Sequence, residues 1–368
     1  MLEFFELLLS DYTFRIIALG TAALGAISGM LGSFAVLRKQ SLLGDAISHA
    51  ALPGIVMAFI LFQAKDSYVL LAGALCSGVL GSLLVNGIVR KSKIKTDAAL
   101  GIVLSVFFGF GMLLLTYVQK KPDAAQAGLD KYLFGQAATL MLNDVKLLIV
   151  VLGIALAILF IFWKELKVMI FDEDYALTLG INTRFLDVLI TIFIVLAIVL
   201  GLQTVGVVLM SAMLLAPAAA ARQWTNNLGK MLIIASVIGA CSGVVGTAIS
   251  ATQPNLSTGP VIVIFAITFV LFSFLFAPTR GIISRQLKIQ KNKKELLLKK
   301  SIAVVYSFMV NNEELVEGVE KNKLLKLRDI DEQVIKLLYE KKWIKYIDSQ
   351  IVALTEEGRD IAEKIELI

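Results

Sequence analysis

Long apolar runs alternate with short polar clusters along roughly the first 280 residues. Nine runs can be bounded, at about 14–37, 46–62, 68–89, 98–118, 145–163, 186–202, 205–221, 231–251 and 259–277. Most approach or exceed the ~20 residues an α-helix needs to cross a hydrocarbon layer. The sixth and seventh are separated only by the Leu-Gln-Thr stretch at Gln203. One of that pair is therefore expected to be short or broken, and ten spans, or eight with a re-entrant piece, fit the same pattern. Beyond residue 300 the pattern changes. Residues 322–342 read as an amphipathic helix with Leu325, Ile330, Val334, Leu337 and Leu338 on its apolar side. Two short strands are expected about Asp348–Ser349, then a helix capped by Thr355 with Glu356 and Glu357 in its first turn.

Composition agrees. The chain is 58% hydrophobic and 17% charged, against roughly 25% charged for a soluble domain. The expected architecture is an all-α polytopic membrane domain of about nine helices over 1–280, a basic linker over 281–300, and a small soluble α+β domain over 301–368. The first residues, MLEFFELLLSDY, lack a basic region and a small-residue cleavage site, so residue 1 is expected to belong to the mature chain. Cys76 and Cys241 lie in apolar runs and read as small packing residues.

Charge sets an expected orientation. Arg38–Lys39, the RKSKIK cluster at 90–95, Lys164, Lys167, Arg184, Arg222, Lys230 and Arg280 all fall in connections on one side of the alternating spans. Basic residues favour the cytoplasmic side, which puts the N-terminus outside and the C-terminus inside. Residues 280–300 carry eight Lys/Arg against Glu295 alone, a charge suited to an anionic membrane surface or the flank of a partner. Small residues four apart, Gly25 with Gly29 and Gly239 with Gly243, suit close helix contacts in lipid or are ordinary membrane-helix glycines.

The stretch GDAISHAALPG at 44–54 stands out. It places Asp45 and His49, the chain's one histidine, at i and i+4 on one helix face. Charged groups within membrane domains cost ~2.5–3.5 kcal/mol on insertion scales and usually face a cavity or a partner. A carboxylate with a neutral imidazole suits a divalent first-row ion. Equally, Asp45 could cap the helix and His49 could hydrogen-bond a neighbour.

SLLGDAISHAALPGI at 41–55 resembles the signature of the permease subunit of ATP-binding-cassette importers for manganese, zinc or iron. DAALGIVLSVFFGFG at 97–111, YLFGQ at 132–136, VGVVLMSAMLLAPAAAARQ at 205–223 and STGPVIVIFAITFVLFSFLFAPTRG at 257–281 are similar to further stretches of that family, in the same order. The resemblance implies a multi-pass permease of a bacterial cytoplasmic membrane, paired with a second copy or a related paralogue. It also implies a separate ATPase subunit and an extracytoplasmic metal-binding protein. The cargo would be Mn2+, Zn2+ or Fe2+, with no permanently bound cofactor. Within this resemblance Asp45 and His49 fall on the metal-binding pair. Asp97 falls on a further aspartate, read as a second-layer or gating carboxylate or as a helix cap. Having one histidine and no histidine-rich outer loop tilts the choice of ion toward manganese.

No G-x-x-x-x-G-K-[ST] loop occurs, so the chain is expected to have no ATPase site of that kind and to act as a transport subunit, not an enzyme. The stretch FDEDYALTLGINTR at 171–184 resembles the segment through which such permeases meet their ATPase. Asp172, Glu173, Asp174, Leu179 and Gly180 are its candidate coupling residues, with Gly180 and Asn182 read as a helix stop. The tail resembles a winged-helix domain of bacterial repressors. That raises a membrane-tethered metal-responsive regulator as a rival reading, but residues 301–368 hold ten basic and fourteen acidic residues, which disfavours nucleic acid as a partner. A permease for a metal chelate or cobalamin, or a transporter driven by an ion gradient, would show similar apolar runs. A chelate, however, needs a wide cavity more than a carboxylate–imidazole pair, and a gradient-driven carrier has no use for a coupling segment.

Overall fold

The computed structural model describes residues 11–63, 66–120, 135, 140–252, 256–312, 318–327, 330–348 and 350–366. The chain divides into two compact units, one up to Ile282 and one from Ile283. Of the YLFGQ stretch only Gly135 lies among the described residues, as does Lys120 but not Lys121 of the long connection after the fourth run.

The first unit contains α1 (Tyr12–Leu37), α2 (Leu43–Phe62), α3 (Ser67–Lys91), α4 (Thr96–Gln119) and α5 (Leu142–Ile161). Two short helices follow, α6 (Trp163–Phe171) and α7 (Glu173–Thr178), then α8 (Thr183–Thr204), α9 (Val207–Trp224), α10 (Leu228–Thr252) and α11 (Thr258–Phe276). Among the described residues, eight helices are long and apolar enough to cross a membrane. The remaining apolar run is α9, the short member of its pair at 18 residues. The break falls at Gly206, whose φ of 87° is cheap only for glycine. Gln203 lies inside α8. Helix α9 carries Pro217 within it and packs on α1, α2, α10 and α11.

The four-residue glycine pairs meet on one seam. A Cβ at Gly25 would overlap the Gly239 carbonyl oxygen, and one at Gly239 would overlap that of Gly25. Gly29 approaches the Ala235 carbonyl and Gly243 that of Thr21 in the same way. The hydroxyls of Thr21 and Thr247 close the seam at 3.0 Å. Antiparallel α1 and α10 thus pack backbone to backbone, because in lipid, close van der Waals contact and buried hydrogen bonds replace the hydrophobic drive. Cys76 and Cys241 are both free, as expected of residues outside any disulfide, and both are exposed on the surface of this chain.

The second unit contains α12 (Ile282–Asn311), β1 (Val319–Glu320), α13 (Lys321–Leu324), α14 (Glu332–Glu340), β2 (Ile344–Tyr346), β3 (Ile351–Leu354) and α15 (Glu356–Glu366). The strands form an antiparallel sheet in the order β1-β3-β2, with Val319 opposite Val352 and Ile344 opposite Leu354. Ile302, Met309, Leu338, Trp343 and Val352 are among the side chains of its core. The stretch at 281–300 falls almost wholly within α12. The single helix expected over 322–342 is divided into α13 and α14, because Asp331 takes an extended conformation and caps α14 by accepting from the Val334 amide at 2.7 Å. The expected strands and last helix are present, and Thr355 caps the latter by accepting from the Gly358 amide at 3.1 Å. Ser349 lies outside the described residues.

Candidate functional site

Asp45 and His49 occupy the first two turns of α2, and both are half-buried. The bland roles open to them are not taken. The N-cap of α2 is Leu42, without a side-chain bond, so Asp45 does not cap the helix. The His49 Nδ1 atom is buried with no hydrogen-bond partner among the described residues. Its ring meets Phe108 of α4 edge-on, with centroids 4.7 Å apart at 73°. The Asp45 carboxylate is near enough for its charge to act on that ring. One turn on, Pro53 brings no N–H to the carbonyl of His49, its i−4 partner. The Ala50 carbonyl instead gains a bond from the Ser77 hydroxyl of α3 at 2.5 Å. Two side chains and one freed carbonyl therefore stand in a stretch walled by α3 and α4.

Among the described residues no three or more His, Cys, Asp or Glu side chains gather as a metal-binding cluster. The chain supplies a partial donor set. Asp97 is exposed in the first turn of α4, is not its N-cap, which is Lys95, and does not complete such a cluster. A 640 Å³ cavity lies beside Pro53 and Gly54, but Met57, Phe62, Leu80 and Phe110 are among its lining and no charged side chain reaches it, so it cannot hold a bare ion.

The coupling candidates form a compact feature. Asp172 caps α7 by accepting from the Tyr175 amide at 2.9 Å, while Glu173 and Asp174 occupy its first turn. Leu179 ends the helix, and Gly180 follows at φ 77° with open space where a side chain would sit. Asn182 is not part of that stop: it caps α8 by accepting from the Phe185 amide at 3.1 Å. Tyr175, Leu177 and Leu179 are each 55% exposed around the buried Ala176.

A cluster not anticipated from sequence lies close to this segment. Asp187 of α8 receives Arg38, the C-cap of α1, at 2.8 Å and Arg90 of α3 at 3.8 Å. Asn86 of α3 donates to the Asp187 Oδ2 atom at 3.4 Å. Neither Arg38 Nη makes a well-directed hydrogen bond among the described residues, so its close contact is electrostatic in kind. Burial lowers the Arg38 guanidinium from its ordinary pKa, and Asp187, then Glu173, act against that. The signal was weak because Asp187 looks like one isolated charge at the start of an apolar run. Elsewhere Arg280 bonds Asn226, and Val36 and Leu37 pack against Met231 and Ala221, so the basic connections gather at one end of the bundle.

Eight described helices, each long and apolar enough to cross a membrane, define a polytopic membrane protein. Residues 10–277 match the ABC 3 transport family, and the chain belongs to that family of metal-importer permeases. It is 51% identical over 276 residues to the zinc transport system membrane protein TroC of Treponema pallidum, a match covering 75% of this chain and 93% of the relative. It is 41% identical over 341 residues to the manganese transport system membrane protein MntC of Bacillus subtilis, covering 92% and 78%. The solved PsaBC of Streptococcus pneumoniae, in complex with Fab, superposes with a TM-score of 0.67 at 32% identity, over 79% of this chain and 100% of that one.

Proposed function

We propose that the chain carries a divalent transition-metal ion, Mn2+, Zn2+ or Fe2+, inward across the membrane along a route containing Asp45 and His49. The observation that carries this reading is the pair itself: a carboxylate and a buried, unpartnered imidazole nitrogen on adjacent turns, in a helix held inside the bundle. Partial coordination suits a carrier, since cargo held by a full ligand set would not be released. Water, the freed His49 carbonyl or groups from a second copy would complete the shell, with Asp97 as a gating carboxylate at the exposed start of α4. The positive-inside rule puts the basic end in the cytoplasm. A separate ATPase docks on α7 through Tyr175, Leu177 and Leu179, with Asp172, Glu173, Asp174 and Gly180 shaping the segment. An extracytoplasmic binding protein delivers the ion at the other end, and the chain itself is a transport subunit and not an enzyme. Names borne by relatives for zinc and manganese systems support the cargo class and leave the ion to experiment.

The test is uptake of radioactive manganese and zinc by vesicles holding the complete transporter. Asp45→Ala and His49→Ala are each expected to cut uptake at least about tenfold, equivalent to ~1.4 kcal/mol, at normal expression. Unchanged uptake would remove the pair from the route.

The second unit supports a winged-helix-like reading through its order of helix, strand, two helices and hairpin, and its β1-β3-β2 sheet. The exposed face of α14 presents Glu332, Lys336 and Glu340, a mixture unlike a phosphate-binding surface. We assign it a regulatory or protein-contact role. Salt-sensitive binding of the whole protein to DNA in a gel-shift assay would revive the regulator.

A further inference from the structure

We propose that the first half of α12 lies along the membrane surface where α11 ends, with Ile282, Ile289 and Leu296 dipping into it and Arg285 and Lys293 bound to the phosphates of anionic phospholipid.

The chain itself brings α12 to that surface. Helix α11 is long and apolar enough to span and ends at Phe276, and only residues 277–281 separate it from Ile282. This connector is tied down. The Ala277 amide bonds the Ser273 carbonyl at 3.0 Å, and the Gly281 amide bonds the Ala277 carbonyl at 2.9 Å. The Thr279 hydroxyl bonds the Gln223 carbonyl, and Arg280 bonds Asn226 at 2.9 Å, which fastens the connector beside the end of α9. Helix α12 therefore begins at the boundary where α11 leaves the apolar layer.

Helix α12 also has two apolar faces. Leu298, Ile302, Val305 and Met309 line the face buried in the core of the second unit. Ile283 and Leu287 prolong that line toward the start of the helix. Ile282, Ile289 and Leu296 follow one another at steps of seven residues. At about 3.6 residues per turn they fall on the opposite face, and they are 51%, 43% and 71% exposed. A seven-residue step also marks a coiled-coil seam, but the positions such a seam needs in between hold Arg285, Gln286, Asn292 and Lys293. Packing on a second copy would bury those charges. A lipid surface leaves them among its headgroups, with their stems along the apolar boundary.

Charge selects the kind of lipid. Residues 282–300 carry seven Lys/Arg, and their one carboxylate, Glu295, is taken up by Lys299 at 3.1 Å. A narrow apolar stripe flanked by cations suits a helix lying in the plane of an interface. Each basic residue near an anionic surface strengthens such attachment roughly fivefold.

The experiment places the full chain in nanodiscs of phosphatidylcholine alone, or of phosphatidylcholine and phosphatidylglycerol in equal parts. Cys76 and Cys241 are replaced by alanine, and a nitroxide is attached at Ile289→Cys or, on the other face, at Leu287→Cys. Collision with oxygen, which concentrates in lipid, is compared with collision with a water-soluble nickel chelate. Phosphatidylglycerol should raise the oxygen-to-nickel ratio severalfold at Ile289→Cys and leave Leu287→Cys open to nickel. Adding Arg285→Gln and Lys293→Gln, both at exposed sites where folding is undisturbed, should weaken attachment about twentyfold. That change, or high salt, should return Ile289→Cys toward its value in phosphatidylcholine. A ratio at Ile289→Cys that ignores lipid charge would overturn the proposal. So would shielding of that label from both reagents in both lipids, which would put a protein neighbour on the stripe. A disc carries the same lipid on both faces, so the result is independent of the orientation proposed for the cell.

Discussion

The α1–α10 seam and the core of the second unit solve the same packing problem with opposite materials. The seam is made from Gly25, Gly29, Gly239, Gly243 and two threonines, and its helices touch through backbone. The other core is made from Trp343, Leu338, Ile302 and Met309, and its elements are held apart by side chains. In water, removing apolar surface is worth roughly 25 cal/mol per Å², so large side chains stabilise. In lipid that gain is absent between helices, and fit and buried polar contacts decide. A glycine in one region therefore has the weight of a tryptophan in the other.

The largest effect should come from Gly239→Leu. Its side chain would have to occupy the space of the Gly25 carbonyl, a clash beyond the ~1–3 kcal/mol of ordinary overpacking. The expected outcome is loss of monodisperse protein on size exclusion in detergent; recovery equal to the parent would show that the seam is dispensable. Next comes Trp343→Ala, expected to cost ~3–5 kcal/mol. Limited proteolysis of the full chain should then cut the second unit and spare the spans. Cleavage spread through both would break the distinction between the two cores. Asp331→Ala should cost about 1 kcal/mol through the lost cap on α14, seen as a smaller shift toward proteolysis. The mildest is Thr247→Val, which removes one buried hydroxyl contact at a cost of about 0.6 kcal/mol in a membrane helix pair. A loss in thermal unfolding as great as that of Gly239→Leu would mean that the hydroxyls, and not the glycines, hold the seam.

Much of the fold was legible because its causes are local. Apolar runs located the spans within a few residues, and four-residue spacing singled out both glycine pairs before they were known to face each other. The i,i+4 spacing of Asp45 and His49 survived intact, since a helix preserves it. What was missed depends on backbone torsion or on distant partners. The break fell at Gly206 because its positive φ, invisible in an apolar run, ends α8. Asp331 divided an otherwise amphipathic stretch because a cap competes with helix continuation. Asn182 was read as a stop and proved to be a start, since one residue type serves both ends of a helix.

The order of amino acids by itself settled membrane residence, the number and placement of apolar runs, the segregation of basic residues and the one-face placement of the candidate ion pair. Each is a property of composition or of a fixed helical repeat. Only tertiary structure decided that Gly25 meets Gly239, that Phe108 abuts His49, and that Arg38, Asn86 and Arg90 converge on Asp187 from helices far apart in the chain. Those contacts depend on how helices turn about their own axes when they pack, and no local repeat encodes that rotation.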